Sequence, residues 1–101
     1  MARILVLYNP PADAAAFDKH YRETHIPLAK RIPGLRSYNI SAAPPRVMAG
    51  TPAHLVAELT FDSLADIDAG FASPEGQATA ADLANFAQAG VTILIFDTEA
   101  V

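Results

Sequence analysis

Alternation of apolar and polar positions marks the chain's strands, and a change of period marks its helices. Arg3–Tyr8 reads as a strand with apolar side chains on both faces: Ile4, Val6 and Tyr8 on one, Leu5 and Leu7 on the other. Asn9-Pro10-Pro11 ends it. From Ala14 a helical period takes over. At about 100° per residue, Ala14, Phe17, Tyr21 and Leu28 share one stripe, with His25 near its edge and Lys19, Arg22 and Glu23 opposite. Asp13 is placed to cap the first turn, and the helix is expected to reach about Ala29. Pro27 cannot donate to the carbonyl of Glu23, and its ring crowds that carbonyl. A kink or break is expected there, leaving His25 beside a backbone irregularity at the edge of a core.

Ile32-Pro33-Gly34 is a stop signal. Arg36–Ala42 reads as a second strand, with Arg36, Tyr38 and Ile40 on one face. Residues 43–53 hold three prolines and form a loop longer than a tight hairpin. His54–Phe61 is the third strand, in which Leu55, Ala57, Leu59 and Phe61 alternate with His54, Val56, Glu58 and Thr60. Ser63 opens a short helix that fades near Gly70. Ser73-Pro74 starts another, with a restart near Thr79 and an apolar side of Leu83, Phe86 and Ala87. Gly90 closes it before a last strand, Val91–Phe96, apolar on both faces.

The order strand, helix, strand, strand, helix, strand predicts an α+β fold: a ferredoxin-like βαββαβ sandwich with a four-stranded antiparallel sheet. Right-handed crossovers put the helices on one face and the first and third strands at the centre. The other face would then be bare, although its strands are apolar on both sides. A large exposed apolar face is unusual on a soluble monomer. The expected remedy is a homodimer packed sheet to sheet about a two-fold axis.

Length and composition narrow the classes. A chain of 101 residues, 51% hydrophobic, suits one domain spanning residues 1–101 and is too short for two. Its apolar runs are far below the roughly 20 residues of a membrane span, and no secretory signal is evident. With no cysteine, disulfides and thiolate chemistry are excluded, which is compatible with the cytoplasm, the expected location. The net charge of −4 and the mixing of Asp18 and Glu23 into the basic stretch Lys19–Arg36 argue against nucleic acid. No glycine fingerprint for a dinucleotide is present, and His20 and His25, five apart, do not share a face of a regular α-helix as metal ligands would. No cofactor and no metal are expected.

His25 has two readings: a half-buried ring with a satisfied hydrogen bond, or a working imidazole. Tyr38 is either a strand aromatic with a wet hydroxyl or a donor to a developing oxyanion. His54 is either an exposed strand-start residue or a second proton carrier. Tyr8 either lines a pocket or caps the core, and Tyr21 and Phe86 are candidate substrate contacts. His20, off the stripe, is expected to face solvent. Glu58 is expected to make a salt contact across strands, and Asp82 reads as a helix cap.

A first strand ending in Tyr8, then Phe17, Tyr21, Glu23-Thr24-His25-Ile26-Pro27-Leu28, Ile32-Pro33-Gly34-Leu35 and Asp82-Leu83-Ala84-Asn85-Phe86, resembles the EthD-like proteins of the dimeric α+β barrel group. The resemblance covers nearly the whole chain. It implies a pocket for a small organic ligand between sheet and helices, usually without metal or prosthetic group. Relatives include a lactone isomerase and polyketide dehydratases, and members often carry an oxidoreductase label. The lactone-isomerising member uses a helix histidine, a second-strand tyrosine and a third-strand histidine, which by motif and position resemble His25, Tyr38 and His54. Three functions stay open: a cofactor-independent acid/base enzyme acting on a small carbonyl, lactone or aromatic compound, a non-catalytic binding protein, and an accessory subunit of an oxidative system.

Overall fold

Burial alternates along the first strand as its sequence alternates, and that alternation sets the direction of the core. The computed structural model describes residues 1–101. The chain runs β1 (Ala2–Tyr8), α1 (Ala14–His20), a π-helical turn (Tyr21–His25), α2 (Ile26–Ala29), β2 (Ser37–Ile40), β3 (Leu55–Phe61), α3 (Leu64–Ala72), α4 (Pro74–Phe86) and β4 (Val91–Asp97). The strands form one antiparallel sheet in the order β2-β3-β1-β4, with β1 and β3 central as expected. This is the ferredoxin-like α+β arrangement, its helices on one face of the sheet.

Strand ends differ slightly from the sequence reading. β2 is shorter, although Arg36 N donates to Thr60 O at 2.8 Å and Ser41 N to Val56 O at 2.8 Å, which extends the ladder at both ends. Ala42 falls outside it. His54 precedes β3 but still donates its backbone N–H to Tyr8 O at 2.8 Å.

The helix carrying His25 departs from expectation in a way that matters. It does not break at Pro27. The irregularity lies one turn earlier, where Ile26 N donates to Tyr21 O across a wide i to i+5 turn. Pro27 then falls in the first turn of α2, where its missing N–H and fixed φ fit. The wide turn also resets the stripe: Phe17, Tyr21, His25 and Ala29 are buried, whereas Ala14 is exposed.

The second crossover also differs. α4 runs without interruption through Thr79, and the break lies at Ser73. Ser73 ends α3 and caps α4, its Oγ accepting from Gly76 N at 3.1 Å. The two helices meet there without room to spare. A Cβ on Gly76 would overlap the Gly70 carbonyl oxygen and lie 2.5 Å from Phe71 Cα.

Ile4, Val6, Tyr8, Leu55, Ala57, Leu59 and Phe61 face the helices and are buried. Tyr8, Phe17, Tyr21 and Phe86 form an aromatic cluster with ring centroids 5.2–6.0 Å apart. Such pairs add about 0.5–1.5 kcal/mol each beyond area burial. The opposite face carries Leu5, Leu7, Val56, Leu94 and Phe96, beside the expected cross-strand pair of Arg3 Nη1 and Glu58 Oε1 at 3.0 Å. The helical cover of β4 is incomplete: α3 reaches the strand, but Ile93 and Ile95, on the helix side, are 46% and 53% exposed. No helix is long and apolar enough to cross a membrane.

Gly76→Ala is expected to destabilise the protein by about 2 kcal/mol, because overlap with fixed backbone outweighs the roughly 1 kcal/mol helix-propensity gain. The thermal midpoint should fall by roughly 10 °C. An unchanged or higher midpoint in calorimetry would contradict the close α3–α4 junction.

Candidate functional site

The π-helical turn brings together two side chains that a regular helix would separate. Five residues of α-helix rotate a side chain about 140° away, whereas a turn bonded from i to i+5 sets residues five apart one above the other. His20 and His25 therefore converge on one acceptor, Asp82 of α4. His25 Nδ1 lies 2.9 Å from Asp82 Oδ2. His20 Nε2 lies 2.9 Å from Oδ1 and 3.1 Å from Oδ2. Asn85 Nδ2, one turn along α4, donates to Oδ1 at 2.9 Å.

An ionised carboxylate only accepts. His25 therefore carries its proton on Nδ1, a tautomer assigned from its partner. Nε2 is left as the free basic nitrogen of a ring that lines a cavity beneath the helices. Both partners are deeply buried, His25 at 4% and Asp82 at 5% exposure. Burial alone would raise the Asp82 carboxyl, but hydrogen bonds from Asn85, His20 and His25, with the charge of His20, bring it below its ordinary value. Burial lowers His25 below 6.5, and the hydrogen bond and charge of Asp82 recover only part of that.

The cavity has a volume of about 180 Å³ and lies between β1, β3 and the helical layer. All three tyrosines of the chain line it with His25. Tyr21 and Tyr38 meet through their hydroxyls at 2.5 Å. Burial, first among the causes, raises the phenols of Tyr8, Tyr21 and Tyr38 above their ordinary value of 10.0. They remain protonated donors at neutral pH. The remaining wall is nearly all apolar, with small residues at Ala29, Ala57 and Ala80 where larger ones would fill the space.

Of the residues singled out in the sequence, His25, Tyr38, Tyr8 and Tyr21 share this cavity. Phe86 does not line it but packs on the His25 ring, centroids 4.7 Å apart. His54 is not part of the cavity wall. Its Nε2 lies 2.7 Å from Asp18 Oδ1, and its ring meets Phe17 edge-on at 5.0 Å. His20 does not simply face solvent: it is half-buried, stacked on Phe86 and bound to Asp82. Asp82 is no cap. It sits in the interior of α4, and its importance was missed. A signal did exist: Thr79, Leu83 and Phe86 lie at helical spacing around it, so a carboxylate stands on the apolar stripe.

A family model described as the EthD domain matches residues 9–90. The chain belongs to the EthD family. An uncharacterized 11.0 kDa protein of the thcB–thcC intergenic region of Rhodococcus erythropolis is 47% identical over 103 residues, covering 100% of this chain and 98% of the relative. A solved EthD family protein from Bacillus halodurans superposes with a TM-score of 0.88 at 31% identity, covering 98% of this chain and 99% of the other. Two more distant structures share the fold alone. One is a dimeric ferredoxin-like protein from Thermobifida fusca, with a TM-score of 0.71 at 15% identity, covering 96% and 90% of the two chains. The other is SnoaB of Streptomyces nogalater, a cofactor-independent oxygenase, with a TM-score of 0.67 at 14% identity, covering 99% and 96%.

Titration of the EthD site has a definite sign. His25 is held below 6.5, so below that pH the unfolded chain takes up a proton that the folded chain refuses. Its contribution to stability is present above about 6.5 and is lost as pH falls toward the folded value. Asp82 is held below 3.8, so its contribution is present above that and is lost as pH falls through its own folded value. The His25 ring, followed by NMR, should titrate below 6.5 in the native protein, and lower still in Asp82→Asn, where the supporting charge is gone. An upward shift in that variant would rule out the His25–Asp82 contact.

Proposed function

We propose that this EthD protein is an enzyme using its own side chains for acid/base chemistry on a small carbonyl, lactone or aromatic compound. The reading is carried by one observation: a buried His–Asp pair whose imidazole lines an apolar, tyrosine-lined cavity. His25 Nε2 removes a proton from the position next to a substrate carbonyl. The imidazolium that forms keeps its Nδ1–H on Asp82, which stabilises the positive charge. Electrons from the broken C–H bond move onto the carbonyl oxygen, where the Tyr21–Tyr38 hydroxyl pair donates to the developing enolate. Return of the proton to another atom completes an isomerisation, and loss of a β-hydroxyl as water completes a dehydration. His20 and Asn85 act as positioning residues, since they hold the carboxylate that orients His25.

Delivery of the same enolate to dioxygen, an oxidoreductase activity, is a second reading. Its support is the fold shared with SnoaB, described as a cofactor-independent oxygenase. A carrier that binds without reacting would use the same cavity. His25→Ala separates catalysis from carriage: turnover should fall by about 10²–10⁴-fold. Ligand affinity should stay within about tenfold, since the remaining wall is intact. Turnover that persists in this variant refutes the acid/base role.

The uncovered outer sheet face belongs to the same proposal. Leu94 and Phe96 are 48% and 42% exposed beside Leu5, Leu7 and Val56, and a second copy would cover this face. The description of the Thermobifida fusca neighbour as dimeric supports this. Sedimentation of the native chain at micromolar concentration should give a dimer, and Leu94→Asp should shift it to monomer. A native monomer would overturn the assembly while leaving the cavity chemistry untouched.

A further inference from the structure

Resting on the proton-transfer reading of the same cavity, we infer that the substrate is an uncharged, single-ring compound whose one oxygen function points inward and whose hydrocarbon body points toward β4. Three observations set these limits. The first is volume. A cavity of about 180 Å³ is slightly larger than an apolar cavity of about 150 Å³ that holds one benzene in another protein. One ring with a few substituent atoms fills it, and three fused rings exceed it.

The second is charge. Neither lysine nor arginine is among the lining residues. The ionised group nearest the reacting nitrogen is the Asp82 carboxylate, 2.9 Å from the far side of the same imidazole. A substrate carboxylate would lose its water, find no counter-ion and face another anion. A substrate ammonium would fare little better, because the Asp82 oxygens are already occupied by His25, His20 and Asn85.

The third is the placement of polar atoms. The Tyr8, Tyr21 and Tyr38 hydroxyls and His25 supply the hydrogen-bonding groups, Thr79 Oγ1 being engaged with the Glu75 carbonyl, whereas Leu83, Phe71, Ile93 and Ile95 make an apolar wall. Ile93 and Ile95 are about half exposed, because α3 reaches β4 without covering these two side chains. The cavity therefore opens on the apolar side. A ring enters between β4 and the helices with its oxygen leading.

Equilibrium binding tests this without turnover, by following the His25 ring signals in NMR during titration of the native protein at pH 7.5. The neutral probes are cyclohexanone and 4-methylphenol. The charged probes of similar size are cyclohexanecarboxylate and cyclohexylammonium, and anthrone is the three-ring probe. The neutral one-ring compounds should shift His25 and bind at least about a hundredfold more tightly than either charged compound. Anthrone should leave His25 unmoved. Ile95→Lys places a cation at the open side on an exposed strand position, and should raise cyclohexanecarboxylate affinity by about tenfold. A carboxylate that binds the native protein as well as cyclohexanone would overturn the inference, as would anthrone binding at that level or neutral probes that leave His25 unmoved. The outcome is separable from the acid/base reading, which stands or falls on turnover in His25→Ala.

Discussion

A carboxylate buried in an apolar helical layer must be fully hydrogen-bonded, and the arrangement around Asp82 follows from that requirement. Unpaired, such a group costs several kcal/mol and would take up a proton instead. Three donors meet it, from His20, His25 and Asn85. Two of them come from a helix that cannot deliver both in regular α geometry. The π-helical turn at Tyr21–His25 delivers both, at the expense of poorer backbone hydrogen bonding. Hydrogen bonds to a charged acceptor contribute about 1.5–3 kcal/mol each, enough to offset a single wide turn.

That one interaction joins local backbone to chemistry. By fixing the proton on His25 Nδ1 it fixes the free base on Nε2. By holding the ring against Phe86 it also holds the aromatic cluster that fills the space between helices and sheet. The imidazole is then held in place by packing and hydrogen bonding together. His25 is thus a core residue with a satisfied hydrogen bond and also the one imidazole on the cavity wall, and the two readings of its sequence position do not exclude each other.

Emptiness in the structure has equally specific causes. The cavity survives because Ala29, Ala57 and Ala80 fall where larger side chains would close it, and because the helices cover β4 only in part. The same strand supplies Leu94 and Phe96 to the other face. β4 thus contributes to two unfilled surfaces: the cavity on the helix side and the apolar outer face of the sheet.

Much of this was legible in the linear chain. Period-two alternation in Arg3–Tyr8 and Leu55–Phe61, the caps at Asp13, Ser63 and Ser73, and the residue spacing of the EthD resemblance placed the strands, the crossovers and the central pair. Backbone sterics and the cost of burying polar groups act locally, so these features declare themselves in order along the chain. Gathering His25, Tyr38, Tyr21 and Tyr8 around one hollow followed from that topology. The role of Asp82, the recruitment of His20 and the separation of His54 did not. Each depends on a partner 36 to 62 residues away. A hydrogen bond of 2.9 Å is decided by how two helices pack and by one extra residue in a turn, neither of which any local stretch of sequence encodes.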